Sequence, residues 1–135
     1  MENRNGLVID SRVSLANGRA EREAAADMIG QIPGKHRITI GADKGYDTAD
    51  FVDYCRASGA TAHVAQRKKG SAIDDRTTRH DGYRISLRIR KRVEEIFGWL
   101  KTIGFLGKLH HRGRERIDAV FTVAATAYNL IRIRN

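Results

Sequence analysis

The sequence predicts an α/β protein, because short runs rich in β-branched residues alternate with helix-forming runs. Three strand signals occur in the first half of the chain, with a helix signal between each strand and the next. Two long helical patterns close the chain. The predicted order of strand, helix, strand, helix, strand, loop, helix and helix indicates parallel β-α-β units with helices packed on the faces of a sheet.

Residues 1–42 contain two of the predicted strands. The stretch GLVIDSRVSLA, residues 6–16, is apolar and β-branched with partial alternation, which predicts a strand ending at the Asn17-Gly18 turn. The Ala- and Glu-rich run Arg19–Ile32 predicts a helix. The segment PGK interrupts that pattern, and His36–Ala42 then predicts a short second strand.

The remaining elements follow a turn in the sequence DKGYD. Thr48–Gly59 predicts a helix in which Thr48 is the N-cap and Gly59 the stop. Thr61–Gln66 predicts the third strand, and the polar, basic run RKKGSAIDDRTTRHDG predicts a loop. Two long helices are expected after it, Tyr83 to about Ile103 and about Arg114 to Arg134.

Charge is distributed unevenly along the chain. The 135 residues include 25 lysines and arginines and 16 acidic residues, a formal net charge of +9. Residues 67–135 contain 17 of these cations and seven acidic residues, a net charge of +10. A basic half beside a nearly neutral half is typical of proteins that bind a phosphate backbone, although a solvated face, a ribosomal protein or a membrane-surface protein would share it.

The composition excludes several classes of protein. No apolar run is long enough to cross a bilayer and no secretory signal opens the chain, so we expect no membrane partner. Cys55 is the only cysteine, which excludes an internal disulfide and a multi-cysteine zinc site. We therefore expect a cytoplasmic protein in a reducing compartment.

The run RKRVEEIFGWLK, residues 90–101, places two glutamates in a basic stretch. On one continuous helix, about 100° per residue puts Arg90, Glu94 and Lys101 within about 40° of one another, along the border of the apolar face. Glu95 points away from that border. Gly98 lies one turn after Glu94 and leaves space for an approaching group, where a helix would favour alanine by about 1 kcal/mol. A simple Arg90–Glu94 ion pair is the alternative, and it leaves Gly98 unexplained.

Another carboxylate follows a predicted strand end. Asp43 comes directly after His36–Ala42, and ligands of open α/β sheets collect at the carboxyl ends of strands. A carboxylate there is an oxygen ligand that suits magnesium, and Gly41 and Gly45 leave room for a close approach. The alternative is that Asp43 begins an Asx-type turn.

Together these residues resemble DDE transposases of bacterial insertion sequences, most of all insertion sequence families four and five. Arg90-x3-Glu94-x6-Lys101 matches their Y-x2-R-x3-E-x6-K signature, and GADKGYD, residues 41–47, resembles the segment with their second catalytic aspartate. DDRTTRHDGYRISLRIRKRVEEIFGWLKT resembles the approach to their catalytic glutamate, and FTVAATAYNLIRIRN is similar to their closing helix. The resemblance covers essentially the whole chain.

The resemblance implies a ribonuclease H-like fold in which three carboxylates hold two magnesium ions, with manganese as a substitute. It implies that Asp43 and Glu94 are catalytic and metal-binding residues. It also implies that Arg90 and Lys101 hold phosphates of DNA, both transposon ends and target DNA. Five further cations of the basic half are expected at the DNA: Arg88, Lys91, Arg92, Arg112 and Arg114. The implied activity is cleavage and strand transfer of DNA at the bacterial nucleoid.

The sequence departs from the family pattern in two places. Leu87 stands where the signature has tyrosine. The family's first catalytic aspartate lies on a strand upstream of the segment that residues 1–10 resemble. We therefore expect residues 1–135 to be part of a catalytic domain, truncated at its N-terminus and inactive alone. Asp10 falls on a later strand by this resemblance and is interpreted as a surface or strand-end residue, with a metal role as the alternative. Besides DNA, the expected partners are an N-terminal transposase part or further copies of the chain.

Two other functions fit part of the pattern. A DNA-binding module without catalysis would use the same basic surface, and a ribosome-associated protein would share the charge. The strand-end Asp43 and the helical Glu94 favour the enzyme over both.

Several residues are interpreted as structural. His36 and His63 flank strands without metal-ligand spacing, and Asp74, Asp75 and Asp81 are expected to cap turns. Trp99 packs in the protein or stacks on DNA, and packing is the favoured prediction. Five residues of the last helix are expected in the core: Phe121, Ala124, Ala125, Tyr128 and Leu130.

Overall fold

The computed structural model describes residues 1–34, 37–108 and 110–134. The chain forms two compact units. Glu21–Arg90 is named the sheet unit, and Met1–Ala20 together with Lys91–Asn135 is named the helical unit. Strands and helices both occur, and they alternate in the first part of the chain, so the predicted α/β class is confirmed.

The sheet unit is built around one β-α-β motif. Its two strands are parallel, with Ile38 opposite Ala60 and Ala42 opposite Val64, because a helix carries the chain back between them. The prediction of this motif is confirmed. Its elements are α1 (Ala20–Gly30), β1 (Ile38–Ala42), a 3₁₀ turn (Lys44–Tyr46), α2 (Ala49–Ala57), β2 (Ala60–Val64), α3 (Asp75–Thr78) and α4 (Asp81–Ile89). The first residue of α1, Ala20, is counted with the helical unit.

The core of the sheet unit combines residues of both strands with residues of α1, α2 and α4. Val64 and Cys55 are fully buried. Thr48 caps α2 as predicted, since its hydroxyl accepts a hydrogen bond from the Phe51 N–H at 3.4 Å. Burial raises the pKa of the Cys55 thiol to about 11. Cys55 packs in this core with no exposed surface.

The helical unit contains α5 (Arg92–Thr102), α6 (Arg114–Arg134) and the N-terminal segment. The bounds of α6 are those that the sequence predicts. Trp99 packs edge to face on Tyr128, with ring centroids 5.6 Å apart, so the packing prediction is confirmed. The helices share a small apolar core of Ile96, Leu100, Ala124, Ala125 and Tyr128, with Phe121 packed against it.

The prediction that Leu130 belongs to this core is wrong. Its side chain is 65% exposed. Leu130 follows the buried Tyr128 by two residues, about 200° around the helix, which places it on the opposite face.

The predicted first strand, residues 6–16, is not formed in the structure. Side chains of α6 take the role of a partner strand. The Asn129 amide accepts a hydrogen bond from the Val8 N–H and donates one to the Val8 carbonyl, each 2.8 Å long. Asp118 accepts a hydrogen bond from the Val13 N–H at 2.9 Å. The β-branched composition favours a strand, but a strand needs another strand to pair its backbone groups.

Gly6 allows this segment to lie close to α6. Its φ is +71°, and a Cβ at this position would lie 2.9 Å from Nε of Arg132. That Nε donates a hydrogen bond to the Asn5 carbonyl at 2.8 Å. Glycine is required both for the backbone conformation and for the close approach.

The predicted single helix from Tyr83 to Ile103 is interrupted, and this prediction is wrong. α4 ends at Ile89 and α5 begins at Arg92. Arg90 and Lys91 keep right-handed helical dihedral angles, but the Glu94 N–H bonds to the Lys91 carbonyl, only three residues back. The proposed stripe of Arg90, Glu94 and Lys101 on one helix is therefore wrong as well. Only Glu94 and Lys101 lie on the same helix.

Candidate functional site

Asp43 lies at the carboxyl end of β1 and precedes the 3₁₀ turn. Its side chain accepts a hydrogen bond from the Gly45 N–H at 2.7 Å. The Asx-type turn is therefore confirmed, and the space at Gly45 is filled by the Asp43 carboxylate itself, which would lie 2.9 Å from a Cβ there. Asp43 is exposed to solvent all the same, and an exposed carboxylate can accept a cation as well as a hydrogen bond.

Arg90 lies beside the same strand. A Cβ at Gly41, two residues before Asp43, would be 3.3 Å from Cβ of Arg90 and 3.6 Å from the Ser86 carbonyl. The missing side chain at Gly41 thus admits α4, and the predicted close approach is made by a helix. The Nε of Arg90 is buried and has no hydrogen-bond partner in the described part of the chain. An arginine held in this way beside a strand end can offer its guanidinium to an anion.

Asp47, four residues after Asp43, is a buried carboxylate that the sequence analysis did not single out. It is fully buried, and its two oxygens accept hydrogen bonds from the Arg67 N–H at 2.7 Å and the Ala72 N–H at 2.8 Å. Burial raises its pKa, but the hydrogen bonds from Arg67, Ser71, Ala72 and Ile73 outweigh burial and hold the pKa below its usual value. The only signal for Asp47 in the sequence is its place in the turn DKGYD. An aspartate in a turn does not by itself indicate burial.

His63 is structural, as predicted. It lies buried on β2, and its Nδ1 is 2.7 Å from the hydroxyl oxygen of Ser86. Burial and the nearby His80 lower the pKa of His63, and a hydrogen bond that the imidazole donates to the Gly82 backbone opposes this shift. His36, the other histidine interpreted as structural, lies outside the described residues.

Three aspartates predicted to cap turns lie at helix starts. Asp74 and Asp75 begin α3, and Asp81 begins α4. No side-chain cap hydrogen bond forms at either helix start. The carboxylate of Asp74 pairs with Arg76 at 2.6 Å, and that of Asp81 pairs with Arg84 at 2.6 Å. Asp10 is a surface residue, as expected, and it accepts a hydrogen bond from the Ser11 N–H.

Glu94 lies in the helical unit, in the first turn of α5. It is exposed and forms no ion pair within the described ranges. Lys101, two turns further on, is exposed as well. A Cβ at Gly98 would meet nothing within 4 Å, so the space that the sequence predicts there is open. Glu95 instead lies 3.6 Å from the guanidinium of Arg132.

The other residues expected to contact DNA are mostly exposed side chains. Arg92 is the exception, because its guanidinium donates to the Asn3 carbonyl. Arg88 lies in the last turn of α4, and the rest lie in the helical unit. The exposed cations of this group are Arg88, Lys91, Arg112 and Arg114.

The donors for a metal ion are suitable in kind but incomplete in number. Asp43 and Glu94 are exposed oxygen donors of the type that magnesium and manganese prefer. Asp43 lies in the sheet unit and Glu94 in the helical unit. No group of three histidine, cysteine, aspartate or glutamate residues that could hold a metal occurs within residues 1–34, 37–108 and 110–134.

The strongly basic second half of the chain is typical of proteins that bind nucleic acid. The comparison with protein families agrees with this class. Residues 1–130 match the family model of the transposase DDE domain. The chain belongs to the DDE transposase family, as the sequence predicts, and the match does not distinguish between insertion sequence families.

No curated protein and no solved structure was found to match the chain. None of the helices in the described ranges is long and apolar enough to span a membrane.

Proposed function

We propose that Asp43 and Glu94 supply two of the carboxylates of a DDE transposase site that cleaves and transfers strands of insertion-sequence DNA. Membership of the family supports the proposal. The observation that carries it is the arrangement at β1, where an exposed Asp43 at the strand end lies two residues from the glycine against which Arg90 packs. Asp43 and Arg90 are 47 positions apart in the sequence, and the fold packs Arg90 against Gly41 of the strand that precedes Asp43.

The chemistry follows from the residue types. Asp43 and Glu94 would hold magnesium, which would supply activation of the attacking oxygen and stabilisation of the leaving oxygen in a displacement at a phosphodiester. Asp43 and Glu94 would each donate carboxylate oxygens to the metal, and the guanidinium of Arg90 would hold phosphate oxygens in a bidentate manner. By the family resemblance the first catalytic aspartate lies upstream of the segment that residues 1–10 resemble, so residues 1–135 are proposed to be part of a ribonuclease H-like catalytic domain that a further carboxylate completes.

Exposed cations on helices support DNA binding. Arg112 and Arg114 lie at the N-terminal end of α6, where the helix macrodipole disfavours a positive charge by about 0.3–1 kcal/mol. A bound phosphate would interact favourably with both the cations and the helix end. Lys101 and Lys91 would add phosphate contacts on the helical unit, and Arg88 on the sheet unit.

Metal binding tests the catalytic part of the proposal. Asp43→Ala and Glu94→Ala should each lower the affinity for Mn²⁺ by about tenfold or more, since even a lost outer-shell partner of a metal ligand costs about 10–100-fold. Asp50→Ala is the matched control, because Asp50 is an exposed carboxylate on α2 of the same sheet unit as Asp43. Calorimetric titration with Mn²⁺ would measure all three variants. Equal affinities in the control and in both site variants would refute the metal site.

Complementation tests the incomplete site. A mixture of the chain with an N-terminal transposase segment that carries an aspartate at the end of a strand should nick DNA in Mg²⁺, whereas either part alone should not. The same segment with that aspartate changed to alanine is the control. Nicking by the chain alone would show that the described carboxylates suffice.

A DNA-binding module without catalysis is the second candidate, and the lack of a three-carboxylate group among the described residues favours it. In that case Glu94→Ala changes neither metal nor DNA binding. Arg90→Ala and Lys101→Ala should then still reduce the salt dependence of DNA affinity, and the slope should fall by about one for each phosphate that the variant no longer neutralises.

A further inference from the structure

We propose that the loop Arg67–Gly70 is a second phosphate-binding site, which holds the DNA backbone next to the phosphate assigned to Arg90, and that Asp47 is its positioning residue. The proposal rests on the proposed function in one respect, namely that DNA is the ligand. It adds a site on the sheet unit to the cations already assigned to DNA.

The loop begins at the same end of the sheet as Asp43. The Ala65 N–H bonds to the Ala42 carbonyl at 3.1 Å, so the chain leaves β2 alongside the residue that precedes Asp43. Because the strands are parallel and in register, the segment after β2 and the segment after β1 emerge together. The cations of the loop therefore follow within a few residues of the strand end that carries the carboxylate.

Asp47 fixes the loop at both ends. One carboxylate oxygen accepts the Arg67 N–H and the other accepts the Ala72 N–H, so the segment between these two residues is closed by one side chain. The charge is fully buried, and a buried carboxylate is tolerated only when such hydrogen bonds satisfy it. Gln66 adds a bond from its side-chain N–H to the Ile73 carbonyl at 3.0 Å.

The loop is also tied to the turn after Asp43. Nε of Arg67 donates to the Lys44 carbonyl at 3.2 Å, and the guanidinium of Arg22 donates to the Gly45 carbonyl at 3.3 Å. The turn and the loop are thus held as one surface with positive charge on both sides. Preorganised cations lose less conformational freedom when an anion binds than cations on a free loop.

Lys68 and Lys69 are exposed cations of the loop. Both are exposed and form no ion pair within the described parts of the chain, and Gly70, with a φ of +66°, closes the run without adding bulk. A solvated loop would keep lysines exposed as well, but it would not need a fully buried carboxylate to fix its backbone. Two adjacent cations beside Arg67 favour a ligand with repeated negative charge, such as the phosphates of a DNA strand.

The test compares two single cations at opposite ends of the strands. Lys68→Ala should reduce the slope of log affinity against log salt by about 0.9 for a short duplex of unrelated sequence. Arg37→Ala is the matched control, since Arg37 is exposed and lies at the amino end of β1, away from Asp43. Its slope should equal that of the parent chain. Equal slopes for Lys68→Ala and Arg37→Ala would overturn the site.

The role of Asp47 needs a separate readout. Asp47→Asn keeps the shape of the side chain but replaces one acceptor with a donor, so the Arg67 or the Ala72 N–H loses its partner. Trypsin should then cleave after Arg67, Lys68 or Lys69 faster than in the parent chain, and the salt slope should fall as in Lys68→Ala. Unchanged cleavage and an unchanged slope would exclude the positioning role. If Asp47→Asn does not fold, the comparison of Lys68→Ala with Arg37→Ala still decides the site.

The two proposals fail in different ways. The salt slope of Lys68→Ala is measured without metal. It therefore does not depend on whether Asp43→Ala lowers the affinity for Mn²⁺. A lowered Mn²⁺ affinity in Asp43→Ala together with an unchanged salt slope in Lys68→Ala would reject the phosphate site at the loop and leave the metal site standing.

Discussion

The sheet unit and the helical unit stabilise their structures in different ways. All three buried polar residues of the described chain, Asp47, His63 and Ser86, lie in the sheet unit, and each has a hydrogen-bond partner. The helical unit buries apolar groups and ties down its N-terminal segment with side chains of α6. Ten of the twelve exposed large hydrophobic side chains in the described ranges belong to it. The sheet unit should therefore respond to pH, and the helical unit to loss of apolar volume.

The largest expected effect is on the helical unit. Leu100 is 2% exposed in its small core, so Leu100→Ala should lower the free energy of unfolding by about 3 kcal/mol. Leu130→Ala removes the same atoms from a side chain that is 65% exposed, and it should stay within about 0.5 kcal/mol of the parent. Urea unfolding measures both. Similar losses in the two variants would contradict the core that the structure shows.

The next effect concerns the long-range hydrogen bonds of the same unit. Asn129→Ala removes both bonds to the Val8 backbone and should cost about 1–2 kcal/mol. The Val8 amide should exchange with solvent faster. Thr126→Ala, which removes only a bond within α6, serves as the control. Unaltered protection of Val8 in Asn129→Ala would show that other contacts hold the segment.

The pH response should separate the two units. The folded pKa of His63 lies below its usual value, so the unfolded chain takes up the proton first as pH falls. The sheet unit should therefore lose stability as pH drops below about 6.5, the ordinary histidine value. Asp47, also with a lowered pKa, contributes stability that is lost only below about pH 4.

To measure this response, the urea midpoint of each unit is determined by NMR at several pH values from 7 to 5. His63→Gln should flatten the slope of the sheet unit while the helical unit stays unchanged. An equal slope in both units would mean that they unfold together or that another group titrates.

The smallest effect is a gain in stability. Gly98 lies inside α5, and a Cβ there meets nothing within 4 Å. Gly98→Ala should therefore raise the free energy of unfolding by about 0.5–1 kcal/mol. If the open space serves an approaching DNA strand, the same variant should bind DNA more weakly while being more stable. Unchanged DNA affinity would leave Gly98 without a functional role.

Local signals in the sequence predicted most of the sheet unit. Thr48 and Gly59 bound α2, and the alternation around it predicted two parallel strands, because caps and periodicity act over a few residues. The interruption between α4 and α5, at Arg90 and Lys91, has no glycine or proline in the sequence to predict it. It coincides with the boundary between the units, which is a tertiary property.

Among the site residues, Asp43 and Arg90 were identified from the sequence by their place in motifs. The packing of Arg90 against β1, however, depends on Gly41, whose missing side chain leaves room for α4. Asp47 was missed because its hydrogen bonds come from Arg67 and Ala72, at least 20 residues away. Burial of a charge depends on such distant donors, and no spacing rule contains them.

The hydrogen bonds between Asn129 and Val8 also have a consequence for synthesis on the ribosome. The two residues are 121 positions apart, so Val8 is made long before its partner. At about 5–20 residues per second the delay is on the order of ten seconds. During that time the backbone N–H and carbonyl of Val8 lack their partner on α6. It docks only after translation of the last helix, while the β-α-β motif, whose contacts are local, has already had time to fold.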